Sequence, residues 1–290
     1  MNTKQIRLTA VFLLCVLLPG FAQRNDVVWN DADVSIFSDY ISKYADKKDA
    51  AIGTLMVETG KYFLGTPYVA RTLEQSPEKL IVNLRELDCT TFVETCLALS
   101  RTLKNESFDV NQSIEKNFEL FTEELRKIRY RGGKLDGYPS RLHYFSDWAY
   151  DNQNKGIVTN VSKAIGGIPY SVKTGIMSKT PERYTQLKDN PLFTEKIAET
   201  EVLINARNHY YIPKANIAKL KKKIQSGDII AFATNISGLD ASHVGLAVWE
   251  KNELYLLHAT FGEVVITTRS LADYTKSGKT HVGIMVARPQ

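Results

Sequence analysis

Leu87-Asp88-Cys89-Thr90-Thr91-Phe92-Val93-Glu94 sets a polar Asp-Cys pair at the mouth of an apolar, helix-patterned stretch. Phe92, Cys96, Leu99 and Leu103 recur at helical spacing, and Asp88 stands where an N-cap belongs. Cys96 falls on the apolar face and reads as a small core hydrophobe. Cys89 precedes that face, where free backbone N–H groups and the helix dipole favour a thiolate.

Downstream the pattern changes from period 3.6 to period 2. Asp228 to Thr234, His243 to Trp249, Leu254 to Thr260, Val264 to Thr268 and His281 to Ala287 all read as strands. No helix-length pattern separates them, which predicts an antiparallel meander. If Trp249 pairs with Leu254 across a turn at Glu250 to Glu253, His243 lies opposite Thr260 and Gly245 opposite His258. Side chains alternate along a strand, so both histidines point to one face as diagonal neighbours. A one-residue slip would separate them.

Upstream, Asp31 to Leu64 carries helical spacing in Val34, Phe37, Tyr40, Ile41 and Tyr44 and again in Ile52, Leu55, Met56 and Phe63. Gly65-Thr66-Pro67-Tyr68 breaks it. A loop follows, with an extended piece at Leu80 to Leu84. From about 105 to 225 the chain is mixed. Ser113 to Ile128 reads as a helix, and Ser140-Arg141-Leu142-His143-Tyr144-Phe145-Ser146-Asp147-Trp148 as an N-capped helix rich in aromatics.

The first residues place Lys4 and Arg7 before an apolar run from Leu8 to Leu18, then Pro19-Gly20-Phe21-Ala22. That is the pattern of a secretory signal peptide over residues 1–22, cut after Ala22. The run is too short for a bilayer span, which takes about 20 residues. The mature chain, 23–290, is expected to be exported, to the periplasm, as one catalytic domain. Without Lys4 and Arg7 the 37 basic side chains become 35 against 32 acidic. Such a balance serves solubility and gives no sign of nucleic-acid binding; the run Lys219 to Lys223 reads as a solvated helix face. Of three cysteines, Cys89 and Cys96 survive cleavage. Seven residues apart on one helix, their Cα atoms lie about 10 Å apart, beyond disulfide reach. A free thiol kept in an oxidising compartment points to chemistry.

The expected chemistry is nucleophilic. Cys89 attacks an acyl carbon, His243 takes its proton or holds it in a thiolate–imidazolium pair, and His258 orients His243 through the second ring nitrogen. The N–H of Cys89 and the Tyr68 hydroxyl stabilise the oxyanion. Ser242 and Asp88 are further candidate contacts. Zinc held by His243, His258, Cys89 and an Asp is the competing chemistry, but the spacing matches no compact zinc motif. His209 and His281 read as structural.

Asp-Cys-Thr-Thr-Phe-Val-Glu resembles the Asp-Cys-Ser-Gly-Phe-Val element of the NlpC-type cell-wall hydrolases, a papain-like cysteine peptidase superfamily. Gly65-Thr66-Pro67-Tyr68 is similar to the Gly-x-Pro-Tyr stretch before it. Ser226-Gly227-Asp228-Ile229-Ile230-Ala231-Phe232 and His243-Val244-Gly245-Leu246 resemble the strand motifs after it, and His258 falls where that family has its third polar residue. Thr90-Thr91 departs from Ser-Gly, and the distance from Cys89 to His243 is far longer than the family's. Asn83 to Glu94, Ser140 to Trp148 and Gly283 to Pro289 resemble the branch called N-acetylmuramoyl-L-alanine amidase-like, over nearly the full mature length.

The resemblance implies an α+β fold, with the cysteine helix packed on an antiparallel sheet, extra N-terminal helices, and a mainly helical insertion over about 105–225. It implies cleavage of the amide between muramic acid and L-alanine in peptidoglycan fragments, anhydro-muropeptides included, without metal or cofactor. A sugar-peptide ligand needs aromatic faces and charged groups. Tyr144, Phe145 and Trp148 can supply the first, Arg141 and His143 the second. Packing is the simpler role for Phe145, and both roles stay open for Arg141, His143 and Tyr144. The alternatives are a γ-D-glutamyl endopeptidase of the stem peptide, with an amine site near Asp88 and Tyr68, and a non-catalytic wall-binding module.

Overall fold

Alternation in the C-terminal third sorts side chains onto two faces of one antiparallel sheet. The computed structural model describes residues 25–171 and 173–290; the expected signal peptide lies outside them. Among the described residues no helix is long and apolar enough to cross a membrane. The strands are β1 (Val27–Val28), β2 (Leu80–Ile81), β3 (Val158–Asn160), β4 (Ile168–Pro169), β5 (Tyr210–Pro213), β6 (Ile229–Thr234), β7 (Ala241–Glu250), β8 (Glu253–Ala259), β9 (Val264–Ile266) and β10 (His281–Pro289). β1 and β2 form a small parallel pair. The main sheet runs β4-β5-β10-β6-β7-β8-β9, with β3 also on β10, and all its pairs are antiparallel.

The expected meander holds from β6 to β9. The last strand departs from it: β10 returns beside β6, and the helix Leu271–Ser277 carries the chain there. That helix is capped by Ser270, whose hydroxyl accepts the Asp273 N–H at 3.1 Å, and its seven residues are too few to show a period. The long region after residue 105 is mainly helical, yet it adds β3, β4 and β5 to the sheet.

Ile229 and Ala231, Leu246 and Val248, and Leu257 and Ala259 face a core shared with the helices α1 (Asp31–Tyr44), α2 (Ile52–Tyr62), α3 (Cys89–Lys104), α4 (Ile114–Arg129) and α5 (Phe145–Asn154). Ile230 and Phe232, Ala247, and Leu254 and Leu256 face a second apolar layer with Leu271 and Ile284. The β7–β8 turn is Lys251-Asn252, both with positive φ (45° and 67°), as a two-residue hairpin turn requires. Trp249 pairs with Leu254, the expected register.

α3 is the central helix. Phe92, Val93, Cys96, Leu97 and Leu99 are buried, and so are Thr91, Glu94 and Ser100 on its other sides. A helix buried all round must pair its polar groups. Glu94 accepts from Arg129 of α4 at 2.6 Å, while Arg129 also donates to the Ile81 carbonyl at 2.7 Å. Ser100 meets Thr59 at 3.2 Å, and Thr59 meets Tyr40 at 2.8 Å.

The segment Ser140 to Trp148 corrects the expectation of an N-capped helix. Its helix begins at Phe145, and Ser140 sits in a separate short turn. Tertiary partners hold the residues between in an extended path: Arg141 bridges Tyr130, and the Leu142 N–H donates to the Arg129 carbonyl at 3.0 Å.

Candidate active site

Cys89 is the first residue of α3. The Asp88 carboxylate accepts the Thr91 N–H at 2.7 Å, and the Thr91 hydroxyl accepts the Asp88 N–H at 2.8 Å. This reciprocal cap fixes the chain as it enters the helix and aims Cys89 outward from the helix mouth. Gly65 to Tyr68 lies along the end of β9. Gly65 donates to the Val264 carbonyl at 3.0 Å, Tyr68 donates to the Gly262 carbonyl at 2.9 Å, and Leu87 donates to the Pro67 carbonyl at 3.0 Å. Tyr68 is thereby held near Cys89 and Asp88; burial first, then these two neighbours, raises its phenol above the ordinary value.

Cys89 is not the resting thiolate expected at a helix mouth. Burial, then the neighbouring Asp88 carboxylate, pushes its thiol up to about 11, against opposing backbone hydrogen bonds from Val244 and Thr90. The helix dipole is worth at most about 2 kcal/mol; here desolvation outweighs it.

His243 and His258 meet as the register requires. His243 Nε2 lies 2.6 Å from His258 Nδ1, with the two rings nearly perpendicular. Gly245, two residues along β7 from His243, allows the approach: a Cβ there would stand 2.8 Å from His258 Cβ and 2.9 Å from the Leu257 carbonyl oxygen. Phe232 packs on His243, and Tyr274 stands edge-on to His258. Burial, then His258 and His281, lowers His243 to about 3; burial lowers His258 to about 4. Both rings are neutral at rest, so one nitrogen of the short contact donates and the other accepts. With His243 Nε2–H donating to His258 Nδ1, His243 Nδ1 carries the lone pair free to take a proton.

Cys89, Ser242 and His243 share one cavity, whose far wall is Leu142, Phe145 and Trp148. His143 lines it too. Its Nε2–H donates to the Tyr138 carbonyl at 3.0 Å, and burial with the nearby Arg141 charge lowers it to about 3. It is therefore a neutral group, not a cation for carboxylates. Phe145 and Trp148 stack at 5.8 Å, and Phe145 packs against the main core, as expected, while also lining the cavity. Trp148 Nε1 and Ser242 Oγ are buried with no hydrogen-bond partner among the described residues.

Two expected ligand contacts line the neighbouring chambers and also hold internal partners. Arg141 is buried, 3.1 Å from Glu74 and 3.3 Å from Glu78, with its guanidinium over the Tyr138 ring. Tyr144 is buried, and its hydroxyl donates to Glu201 at 2.6 Å. A bulky aromatic between polar neighbours reads the same in sequence whether it faces a ligand or a satellite core. Asp240 was not a sequence candidate. It lines the cavity, buried, and accepts the Ser146 N–H at 2.6 Å and the Ala241 N–H at 2.7 Å. Its position three residues before His243 was the available signal. Among the described residues no three His, Cys, Asp or Glu side chains converge as metal ligands.

The fold has relatives of known structure. An N-acetylmuramoyl-L-alanine amidase from Bacteroides uniformis, solved as a crystal structure, superposes with a TM-score of 0.76 at 36% identity, covering 82% of this chain and 99% of that one. A protein from Bacteroides fragilis, provisionally named a xylanase, gives 0.72 at 39% identity over 80% of this chain and 99% of that one. A Legionella pneumophila protein at 24% identity, TM-score 0.63, covers 89% of this chain and 94% of its own and shares the fold. No curated protein matches the chain. Residues 58–284 match the model of the AmiA-like, N-acetylmuramoyl-L-alanine amidase-like family, and to that family the chain belongs.

Proposed function

We propose that the protein is an exported cysteine amidase with an NlpC-type, papain-like core. It hydrolyses the amide between the muramic-acid lactyl group and L-alanine in peptidoglycan fragments, anhydro-muropeptides included. The observation that carries this reading is the His243–His258 contact of 2.6 Å in a site whose cavity His243 shares with Cys89.

His243 Nδ1 takes the Cys89 proton as the sulfur attacks the lactyl carbonyl carbon. The developing oxyanion is stabilised by the Cys89 N–H at the helix N-terminus and by the Tyr68 hydroxyl. The imidazolium, its Nε2–H held by His258, gives its proton to the leaving L-alanine amine, and the C–N bond breaks. Water, deprotonated by His243, then attacks the thioester and releases the muramic carboxylate and the thiol. Neutral resting partners suit this sequence, since charge develops on them only as the bond forms.

The xylanase name of one relative invites comparison. Glycoside hydrolysis needs two carboxyl groups facing the scissile bond. Of the carboxylates at this cavity, Glu94 is held by Arg129 at 2.6 Å and Asp240 accepts two backbone N–H groups. Neither is free for that work, whereas the thiol is.

Mass spectrometry of products from defined muropeptides tests the proposal. An amidase releases intact stem peptide and muramic sugar; a dipeptide left on the sugar would identify the γ-D-glutamyl endopeptidase instead. Cys89→Ala is expected to abolish turnover. Turnover equal to wild type in that variant would overturn the cysteine mechanism, and loss on chelation restored by zinc would revive the metal route.

A further inference from the structure

The Cys89 cavity continues along a groove past Thr90, Glu94, Leu142 and His143 to Arg71. Arg71 then shares a second chamber with Arg183, walled by Tyr138, Met177 and Tyr184. Charge along this path is uneven. Of the groove's carboxylates, Glu94 is neutralised by buried Arg129 and Glu74 by buried Arg141, while Asp88 accepts the Thr91 N–H and hydroxyl as the α3 cap. Arg71 and Arg183 are exposed, and among the described residues neither forms an ion pair or a side-chain hydrogen bond. Both line this chamber together with Tyr184. Arg71 also holds a left-handed backbone, φ 65°, which costs a non-glycine residue free energy and collects at binding sites.

The geometry points to Arg71 and Arg183 as a carboxylate-binding subsite that receives the acidic stem peptide while its L-alanine end lies at Cys89. This deepens the amidase reading and rests on it. A guanidinium without a partner inside a groove is matched by a planar carboxylate, which it can grip with two parallel hydrogen bonds. The stem peptide supplies such groups: a γ-linked D-glutamate leaves its α-carboxylate free one residue beyond L-alanine, and further carboxylates follow. The sugar then lies toward the Phe145–Trp148 side, where the cavity is aromatic.

The test uses the Arg71→Gln/Arg183→Gln double variant of the full mature chain. Substrates are a muramyl tetrapeptide with free carboxylates and the same compound with them converted to methylamides. For the free acid, KM is expected to rise about tenfold with kcat within about twofold, as loss of binding shared by ground and transition states requires. For the methylamide, wild type and variant should share one KM. Equal KM values of variant and wild type on the free acid would overturn the subsite while leaving the amidase intact. Calorimetry of the isolated stem tetrapeptide with Cys89→Ala protein makes the subsite testable apart from turnover. The two arginine changes should weaken that binding by about the same factor; unchanged binding overturns the proposal even if the enzyme cleaves another bond.

Discussion

Replacing His258 with alanine removes both the hydrogen bond it makes and the space it fills. In the resting site the His243–His258 contact joins two neutral rings at 2.6 Å. Under the proposed mechanism it becomes a hydrogen bond to a charged donor once His243 carries the proton of Cys89. Such bonds contribute about 1.5–3 kcal/mol net, and at 1.36 kcal/mol per decade that is about a 10- to 150-fold loss in kcat. The void is a separate cost. His258 is 1% exposed, and truncating a buried side chain of that size costs about 2–5 kcal/mol of stability. The two effects differ in their response to glutamine. A glutamine side-chain carbonyl at this position can accept the His243 Nε2–H, so His258→Gln should recover kcat to within about tenfold of wild type, whereas its stability need not recover in step. The assay is kcat on a defined muropeptide for both variants, with urea unfolding alongside. A His258→Ala protein that is folded and turns over within about twofold of wild type would refute the positioning role.

The raised Cys89 thiol predicts that its alkylation by iodoacetamide keeps accelerating as pH passes about 9, because thiolate accumulates only toward about 11; mass spectrometry follows the adduct, and a plateau below about pH 7 would reveal a resting thiolate–imidazolium pair instead. Gly245→Ala inserts a Cβ against His258 and the Leu257 backbone and should cost about 1–3 kcal/mol together with much of kcat; unfolding midpoints and turnover unchanged from wild type would show that β8 moves freely. Arg129→Met strands the buried Glu94 carboxylate and should destabilise by about 3–5 kcal/mol, while adding Glu94→Leu should restore most of it; urea titrations that rank the double variant no better than the single would contradict this.

The hairpin carrying both histidines was legible because three local signals agree: alternating side chains, a short turn, and a register that one slip would ruin. The Asp88 cap was legible for the same reason, since its partner Thr91 is three residues away. What stayed hidden depends on distant partners. Arg141 is held in place by Glu74 and Glu78, and Tyr144 by Glu201; nothing near them in sequence tells a bound arginine from a free one. The strand period of β10 marks a strand without naming its neighbour, and its place beside β6 depends on the short helix before it. Helix-mouth position gave the direction of one influence on Cys89, but its burial is set by β7 and the insertion wall, which only the folded chain brings together.

Asp240 shows why those parts work as one site. Its carboxylate accepts the Ser146 N–H in the first turn of α5, where the helix dipole favours a negative charge. It stands immediately before β7, three residues ahead of His243. Its backbone carbonyl accepts the Tyr170 hydroxyl, which also donates to the Thr234 carbonyl at the end of β6. One residue at the entry to β7 therefore ties down two segments of the region between α3 and β6. α5 carries Phe145 and Trp148, which line the cavity with Cys89, so the strand that carries His243 also positions that aromatic wall. A displaced α5 would open the cavity and shift the start of β7 together. Under the proposed mechanism the contribution of the 105–225 region to binding is for that reason coupled to the placement of His243, and substitutions within it that disturb the Ser146–Asp240 bond should move kcat as well as KM.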